Sequence, residues 1–264
     1  MNKSFSIQSA LSYGWETFKG HWKFLVPLFI LLGIAQVLIE FIGGIFDSGI
    51  LASLVSLVIY VVYALLAVGV VNILLHFIYN KASTWTSFNE ETRNHAWAVF
   101  TEYAHLWWKF ILAGLLYMLI VFGGFILLII PGIYFAITYQ YWPYIIIQNP
   151  EMGIWQTFKK SARITKNVKW KLLLAGIVFG LVQLLGLLAL VVGIIVAYPI
   201  ALLAGASVYK TLKDQTSEDA VESENSDSTQ EELESEVTHV LAEDGDVNTI
   251  DIEADSDEAV IVNE

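Results

Sequence analysis

The chain has 264 residues, of which 56% are hydrophobic, 15% are charged and none is cysteine. Soluble domains carry about 25% charged residues, so this composition argues against a soluble enzyme, a nucleic-acid-binding domain and a disulfide-stabilised secreted protein. The apolar residues are concentrated in three blocks that carry very few charges, at 24–79, 110–148 and 172–209. One helical crossing of a bilayer needs roughly 20 apolar residues, so the three blocks predict six crossings.

We expect an all-α, polytopic membrane helix bundle in which the six crossings form three helical hairpins. The predicted crossings, in chain order, are 24–46, 51–78, 110–130, 132–148, 172–191 and 193–210. The hairpin tips are then at residues 43–49, at Ile130-Pro131-Gly132 and near Gly193. Pro143 and Pro199 lie inside the fourth and sixth crossings, where the missing backbone N–H predicts kinks.

The charges are divided between two regions of opposite sign. Residues 1–213 carry all 14 Lys and Arg with 7 acids, a net charge of +7, and residues 214–264 carry the other 19 acids, a net charge of −19. None of the Lys and Arg lies inside an apolar block, so three hairpins place all of them on one side of the membrane. Because Lys and Arg are retained on the cytoplasmic side, we expect a plasma-membrane protein with both termini in the cytoplasm.

The acidic region is predicted to be a separate part of the chain. Residues 1–213 form the expected transmembrane domain, and residues 214–264 contain no aromatic residue and no Lys or Arg. Such a segment repels itself and buries little apolar surface, which predicts a disordered cytoplasmic tail. A cytoplasmic protein partner is expected to bind there, and we hypothesise that the tail also folds back onto the basic loop 159–171 and competes with anionic lipid.

A tryptophan and a lysine precede each apolar block, at Trp22-Lys23, Trp108-Lys109 and Trp170-Lys171. The indole ring prefers the headgroup region, and the lysine side chain extends toward the phosphates. These three tags fit either a diverged internal repeat or the usual composition of a helix end at the inner interface. Eight tryptophans in the same cytoplasmic segments predict an aromatic belt: Trp15, Trp22, Trp85, Trp97, Trp107, Trp108, Trp155 and Trp170.

The segments ahead of the tags have helical periodicity and predict amphipathic interfacial helices. In the third segment one side holds Ile154, Trp155, Phe158, Ala162 and Thr165, and the other side holds the cations. Such a helix either contacts lipid at the interface or docks beneath its own bundle. The candidate contacts with anionic inner-leaflet lipid are Trp22, Lys23, Trp108, Lys109, Lys159, Lys160, Arg163, Lys166, Trp170 and Lys171.

Two short motifs predict where interfacial helices begin. Ser87-Phe88-Asn89-Glu90 has the pattern of a capping box. Asn149-Pro150-Glu151 has the pattern of an N-cap, a proline at the first helical position and an acid in the first turn.

Small residues predict close helix packing in the third block. Gly176 and Gly180 form a GxxxG pattern, and Ala197, Ala201 and Gly205 repeat at every fourth position. Such residues let two helices approach closely inside a membrane.

Four polar residues are predicted at membrane depth, where a polar group is costly and therefore a candidate functional site. They are Gln36, Glu40, Gln140 and Gln183. Either these side chains form a polar layer near mid-membrane, or Glu40 reaches the outer interface and the amides hydrogen-bond between helices. Asn72 and His76 are neighbours on one helix face, but a single histidine without acidic or cysteine partners is weak support for a metal site.

The sequence contains none of the common catalytic or nucleotide-binding motifs. We therefore expect no catalytic residues, no cofactor, no metal and no nucleic-acid partner, and we expect that the protein is not an enzyme.

Three features of the chain carry a family resemblance. They are Ile129-Ile130-Pro131-Gly132-Ile133-Tyr134 followed by aromatic residues from Tyr139 to Tyr144, Ser161 with its basic neighbours, and the last long hairpin. These features resemble an uncharacterised bacterial six-helix integral membrane family, related to the membrane domain of some glycerophosphodiester phosphodiesterases. The resemblance covers roughly residues 5–212 and implies a six-helix membrane fold; it implies no catalytic residues, since the phosphodiesterase domain is absent.

Two functions from different classes follow as expectations. The first is a membrane scaffold or lipid-associated protein, whose basic, tryptophan-rich cytoplasmic face contacts anionic lipid or a protein partner. The alternative is a small-solute transporter or channel that uses the polar layer near mid-membrane.

Overall fold

The computed structural model describes residues 3–45, 49–79, 85, 89–188 and 193–217. All regular structure in these ranges is helical, and residues up to Thr216 form one compact unit. The helices are α1 (Ile7–Ile45), α2 (Gly49–Ile78), α3 (Glu90–Glu102), α4 (Trp107–Leu127), α5 (Ile129–Tyr139), α6 (Trp142–Gln148), α7 (Ile154–Ile164), α8 (Lys169–Leu188) and α9 (Gly193–Ser217).

Five of these helical segments are long and apolar enough to cross a membrane. They are α1, α2, the segment Glu90–Leu127 that contains α3, a short 3-10 helix and α4, and then α8 and α9. This confirms the prediction of an all-helical chain with membrane-spanning helices. The predicted crossing at 132–148 is not a single helix: α5 and α6 are separated at Gln140 and Tyr141.

The chain reverses direction between α4 and α5 at Leu128, whose backbone is extended. The predicted tip at residues 130–132 is therefore wrong. Pro131 lies in the first turn of α5, where its missing N–H costs no helical hydrogen bond. A Cβ added to Gly132 would lie 2.5 Å from the ring of Phe125, so glycine is needed for this close approach.

Together, α5 and α6 run antiparallel along α4. Near the tip, Gly124 meets Gly132; further along, the Tyr117 hydroxyl donates to the carbonyl of Ala136 at 3.1 Å. The ring of Phe110 in the first turn of α4 then meets Trp142 of α6, with 5.2 Å between centroids. The broken pair therefore covers the whole length of α4.

Side chains of α7 satisfy the backbone groups at the break between α5 and α6. The Ser161 hydroxyl donates to the carbonyl of Thr138 at 3.0 Å, and its oxygen accepts from the N–H of Tyr141 at 3.3 Å. Thr165 also donates to the carbonyl of Thr138, at 3.2 Å. A broken helix inside a membrane needs such partners for its freed backbone groups.

The first helix contains both the predicted interfacial segment and the first crossing. The two follow each other within α1 and are separated by a kink at His21, whose backbone is not helical. Ahead of the kink, Ala10, Gly14 and Phe18 form the buried face. A Cβ at Gly14 would lie 2.6 Å from the carbonyl oxygen of Ile200, which shows how closely α1 approaches α9.

Both predicted helix starts need correction. Asn89 is the N-cap of α3 and its side chain accepts from the N–H of Thr92, so the capping box headed by Ser87 is wrong; Ser87 itself lies outside the described residues. Asn149 ends α6 rather than starting a helix, because its N–H donates to the carbonyl of Ile145. The next helix, α7, begins five residues later, at Ile154.

The last helix extends into the segment predicted as the disordered tail. Residues 214–217 are helical. The Gln215 side chain pairs with the backbone of Ser4: its Nε2 donates to the Ser4 carbonyl at 2.8 Å, and its Oε1 accepts from the Ser4 N–H at 3.1 Å. The prediction of disorder is wrong for these four residues. Residues 218–264 lie outside the described residues. So do residues 46–48 of the first predicted hairpin tip, and Lys81, one of the basic residues.

Of the three small residues predicted to pack on α9, Ala197 and Ala201 do so, whereas Gly205 has open space beside it within the described residues. Ala197 and Ala201 are buried, and a Cβ at Gly186 of α8 would lie 2.6 Å from the Cβ of Ala197. In contrast, Gly176 and Gly180 have open space beside them within the described part of the chain. The GxxxG pattern therefore does not mediate packing within that part.

Candidate functional site

Helix α7 has one face buried against the bundle and one face exposed. The buried side chains include Thr157, Phe158, Ser161, Ile164 and Thr165. Trp155, predicted on the same side as Phe158 and Thr165, is 60% exposed and does not share their burial. One face of α7 therefore docks on α5 and α6, and lipid contact through the exposed face stays a prediction.

The outward side of α7 is cationic. Lys159, Arg163 and Lys166 are all exposed. Lys160 differs from them, because it is half-buried and its Nζ donates to Asn149 Oδ1 at 3.1 Å. Burial lowers the pKa of Lys160, and the nearby cations Lys213 and Arg163 lower it further.

Cations from distant parts of the sequence meet at this end of the bundle. Lys3 donates from its Nζ to the carbonyl of Arg163 at 2.9 Å. On α9, Lys210 donates to the carbonyl of Ile78 at 3.1 Å, and its ammonium lies 5.2 Å from the centroid of the Tyr79 ring. We call this region the cationic end. It is formed by the first described residues of the chain, the end of α2 with Tyr79 directly after it, α3, α6, α7 and the last turns of α9.

The three tags have different environments. Trp22 is 51% exposed beside the exposed Lys23, and Trp170 is 82% exposed beside the exposed Lys171. Trp108 is also exposed, but Lys109 is half-buried and donates to the carbonyl of Pro150 and, at 3.5 Å, to that of Met152. Lys109 therefore holds the turn between α6 and α7.

The other tryptophans of the predicted belt are largely exposed, with one exception. Trp85 is 1% exposed and packs against Phe24, with 5.1 Å between ring centroids. It also stacks on His76 at 6.0 Å. Trp85 is therefore a core residue and does not belong to the predicted belt.

The cations of the α7–α8 region do not lie in a single plane. Lys160 contacts Asn149 at the end of α6, whereas the Lys169 ammonium lies 3.6 Å from the ring centroid of Tyr134, in the first half of α5. The basic segment therefore follows α6 and α5 over much of their length.

A chain of hydrogen bonds connects α9, α6 and α2 at the cationic end. The Tyr209 hydroxyl donates to Gln148 Oε1 at 2.8 Å, and Gln148 Nε2 donates to the Tyr79 hydroxyl oxygen at 3.0 Å. Lys213 Nζ donates to the same oxygen at 3.1 Å. The rings of Tyr209 and Tyr144 stack with 4.9 Å between their centroids, which fixes the position of the Tyr209 hydroxyl.

This network borders a cavity of about 400 Å³. The carboxylate of Glu102 and the ammonium of Lys213 line it, and apolar side chains of α2 and α6 complete its walls. Its lining consists of Asn72, Leu75, His76, Tyr79, Glu102, Tyr103, Ile147, Gln148, Pro150 and Lys213.

Asn72 links α2 to the end of α3 beside this cavity. It is 2% exposed, and its Nδ2 donates to the carbonyl of Val99 and, at 3.2 Å, to Glu102 Oε2. Sequence reasoning singled out Asn72 and His76 but missed Glu102, Tyr79, Gln148 and Lys213. The spacing within one helix shows that Asn72 and His76 share a face, but it cannot show which residues of three other helices meet that face.

The four candidate intramembrane polar residues occupy different places. Gln36 Nε2 donates to Glu40 Oε1 at 2.9 Å and to the Tyr63 hydroxyl at 3.1 Å, which joins α1 to α2. Gln140 caps the end of α5 and is half-buried. Gln183 is exposed and lines a groove between α8 and α9, of about 350 Å³, together with Tyr198.

Comparisons of the chain with protein-family models, with curated proteins and with solved structures found no match. The resemblance to the bacterial six-helix family therefore stays a prediction.

Proposed function

We propose that this chain is a non-enzymatic, lipid-associated scaffold of the plasma membrane that contacts anionic inner-leaflet lipid through the exposed side of α7. In this proposal the protein crosses the membrane six times and has both termini in the cytoplasm. Five crossings are the long apolar helices, and the remaining one, the fourth in chain order, is the α5–α6 pair. This is supported by the antiparallel course of the pair along α4. An even number of crossings returns every basic loop to the same side.

The observation that carries the proposal is the division of α7 into two faces. Its buried face is fixed to the break between α5 and α6 by Ser161 and Thr165. This leaves Lys159, Arg163 and Lys166 facing outward next to the exposed Trp155. Exposed cations beside an indole are the combination expected for a helix at an anionic membrane surface.

The expected strength of this contact can be estimated from the charges. Each Lys or Arg near an anionic surface contributes about 1 kcal/mol. Three exposed cations therefore contribute about 3 kcal/mol, or roughly a hundredfold in affinity, since a tenfold change is about 1.4 kcal/mol. Lys109 and Lys160 are not counted, because their ammonium groups bind protein oxygens.

The test compares retention of lipids by the full chain purified in a neutral detergent. Native mass spectrometry measures the affinity for phosphatidylglycerol and for phosphatidylcholine. We expect the triple variant Lys159→Gln, Arg163→Gln, Lys166→Gln to lose most of its preference for phosphatidylglycerol. The matched control exchanges the same residues with charge preserved, as Lys159→Arg, Arg163→Lys and Lys166→Arg, and is expected to keep it. An unchanged preference in the glutamine variant would contradict the proposal.

A transporter or channel for small solutes is the second candidate function. It is favoured by Gln36, Glu40 and Tyr63, a polar group between two otherwise apolar helices. If this group conducts ions or protons, vesicles containing the protein should show a flux of an indicator that Glu40→Gln abolishes and Glu16→Gln leaves unchanged. The absence of any flux across a panel of ions would remove this candidate.

A further inference from the structure

We infer that the cavity at the end of α2 binds a zwitterion that carries a phosphate group and a primary ammonium group, as in a phosphoethanolamine headgroup. This inference goes beyond the proposed lipid contact. It concerns residues inside the cationic end rather than the exposed side of α7, and it names a different class of ligand.

Tyr79 and Lys213 form the side of the cavity that suits a phosphate. The Tyr79 oxygen accepts hydrogen bonds from Gln148 Nε2 and Lys213 Nζ. A phenol oxygen has two lone pairs, so these two donors use its acceptor capacity and leave its O–H available as a donor. In the part of the chain that the structure describes, no acceptor receives this O–H, and Tyr79 lines the cavity.

The same side of the cavity is electrically positive. Lys213 lines it, and the Lys210 ammonium lies 5.2 Å from the centroid of the Tyr79 ring. The Lys213 ammonium and the Tyr79 O–H match the two non-bridging oxygen atoms that a phosphate diester presents.

Glu102 provides the opposite charge. Its Oε2 accepts one hydrogen bond from the buried Asn72, which fixes the carboxylate at the cavity. A carboxylate has about four lone-pair sites, so capacity remains for N–H donors of a ligand. A primary ammonium supplies three such donors, whereas a quaternary ammonium has none and is usually bound by a cage of aromatic rings.

The dimensions and the remaining walls fit a headgroup. A cavity of about 400 Å³ is near the lower end of the usual range for ligand sites, about 300–1,000 Å³. Leu75 and Ile147 provide apolar contacts for the short carbon chain between the two charges. Hydrogen bonds to a second helix hold both walls in place: Asn72 donates to the carbonyl of Val99, and Gln148 accepts from Tyr209.

The test uses the full chain in nanodiscs of phosphatidylcholine and isothermal titration calorimetry. Three soluble probes are compared: glycerophosphoethanolamine, glycerophosphocholine and glycerol phosphate. We expect glycerophosphoethanolamine to bind at least tenfold more tightly than either of the others. Equal affinity for the three probes, or no binding of glycerophosphoethanolamine, would overturn the inference without the use of any variant.

Variants then assign the two sides of the cavity. Glu102→Gln is expected to abolish the preference for glycerophosphoethanolamine over glycerol phosphate, and Glu91→Gln, an exposed acid on the same helix, is expected to keep it. Tyr79→Phe is expected to lower the affinities for glycerophosphoethanolamine and for glycerol phosphate by about the same factor. A Glu102→Gln variant with unchanged selectivity would overturn the assignment of the ammonium group.

A last arm distinguishes a lipid headgroup from a free solute. In nanodiscs that contain phosphatidylethanolamine, a site that takes the lipid is already occupied, so titration of glycerophosphoethanolamine gives little heat. A site for a free solute gives the same affinity as before. The triple glutamine variant of α7 should bind the probes normally, so that failure of the proposed anionic-lipid contact and failure of this site are distinguishable.

Discussion

The cationic end and the outer arms of α1 and α2 are built in different ways. We use "outer arms" for residues 30–45 of α1 and 52–60 of α2, where large apolar side chains such as Val37, Phe41 and Tyr60 are more than 60% exposed. At the cationic end, polar side chains such as Asn72, Ser161 and Thr165 are buried and hydrogen-bonded.

This difference reflects the solvent that each region requires. In hydrocarbon, apolar side chains gain nothing from burial against other apolar side chains, so the outer arms need only helical backbone bonds and a bilayer around them. The cationic end contains a broken helix, a cavity and several cations, and each of these needs a specific protein partner. Substitutions should therefore have large effects at the cationic end and small effects in the outer arms.

The largest effect is expected where α7 closes the break between α5 and α6. The double variant Ser161→Ala, Thr165→Val removes the partners of the Thr138 carbonyl and the Tyr141 N–H. An unsatisfied buried group costs about 1–3 kcal/mol, so the free energy of unfolding should fall by about 2–4 kcal/mol in detergent titrations. The control Ser12→Ala, Thr101→Val changes exposed hydroxyls that bond within their own helices, and should have little effect. Equal losses in both variants would contradict this account of the break.

This break also shows where sequence reasoning stops. The bounds of α2 and α4 lie within a few residues of the predicted crossings, because apolar length alone determines them. Residues 132–148 are mostly apolar, so their length predicts one crossing. Pro143 predicts a kink there, but it does not show that one helix ends at Gln140 and another begins at Trp142. The break is stable because Ser161 and Thr165, from a separate helix, bind the freed backbone groups, and a single sequence does not reveal that contact.

The candidate sites show the same limit: features within one segment can be predicted, and contacts between separate segments cannot. The cationic side of α7 was predictable, because charges at helical spacing within one segment define a face. The cavity was not predictable, since Glu102, Gln148 and Lys213 come from three separate helices and Tyr79 from the turn after α2. The burial of Trp85 was also missed, because a tryptophan in a loop near the interface has the same local sequence whether it faces lipid or the core.

An intermediate effect is expected where α1 approaches α9. Gly14→Ala places a Cβ 2.6 Å from the carbonyl oxygen of Ile200, whereas Gly20→Ala on the same helix meets no atom within 4 Å. Overpacking costs about 1–3 kcal/mol, and alanine gains up to about 1 kcal/mol over glycine in a helix. Gly14→Ala should therefore lower the free energy of unfolding by about 1–2 kcal/mol, and Gly20→Ala should raise it slightly. Thermal unfolding in one detergent measures both, and the opposite order would refute this packing.

The smallest effect is expected in the outer arms. Gln36→Leu removes two hydrogen bonds: one within α1, to Glu40, and one from α1 to Tyr63 of α2. Hydrogen bonds between membrane helices contribute about 0.6 kcal/mol on average, so the free energy of unfolding should change by less than about 1 kcal/mol. Tyr63→Phe should give the same result, because it removes one of the same bonds. If Gln36→Leu lowered the free energy of unfolding as much as the Ser161 and Thr165 double variant does, the proposed difference between the two regions would be contradicted.

The central claim is that α5 and α6 together complete a sixth crossing, so that α7 and its cations lie in the cytoplasm. The chain has no cysteine, which allows single cysteines to be placed at Lys166, Leu128 and Gly44 and treated with a membrane-impermeant maleimide on intact cells. We predict labelling at Gly44→Cys and Leu128→Cys, and labelling at Lys166→Cys only after the cells are opened. Labelling of Lys166→Cys on intact cells would contradict the claim.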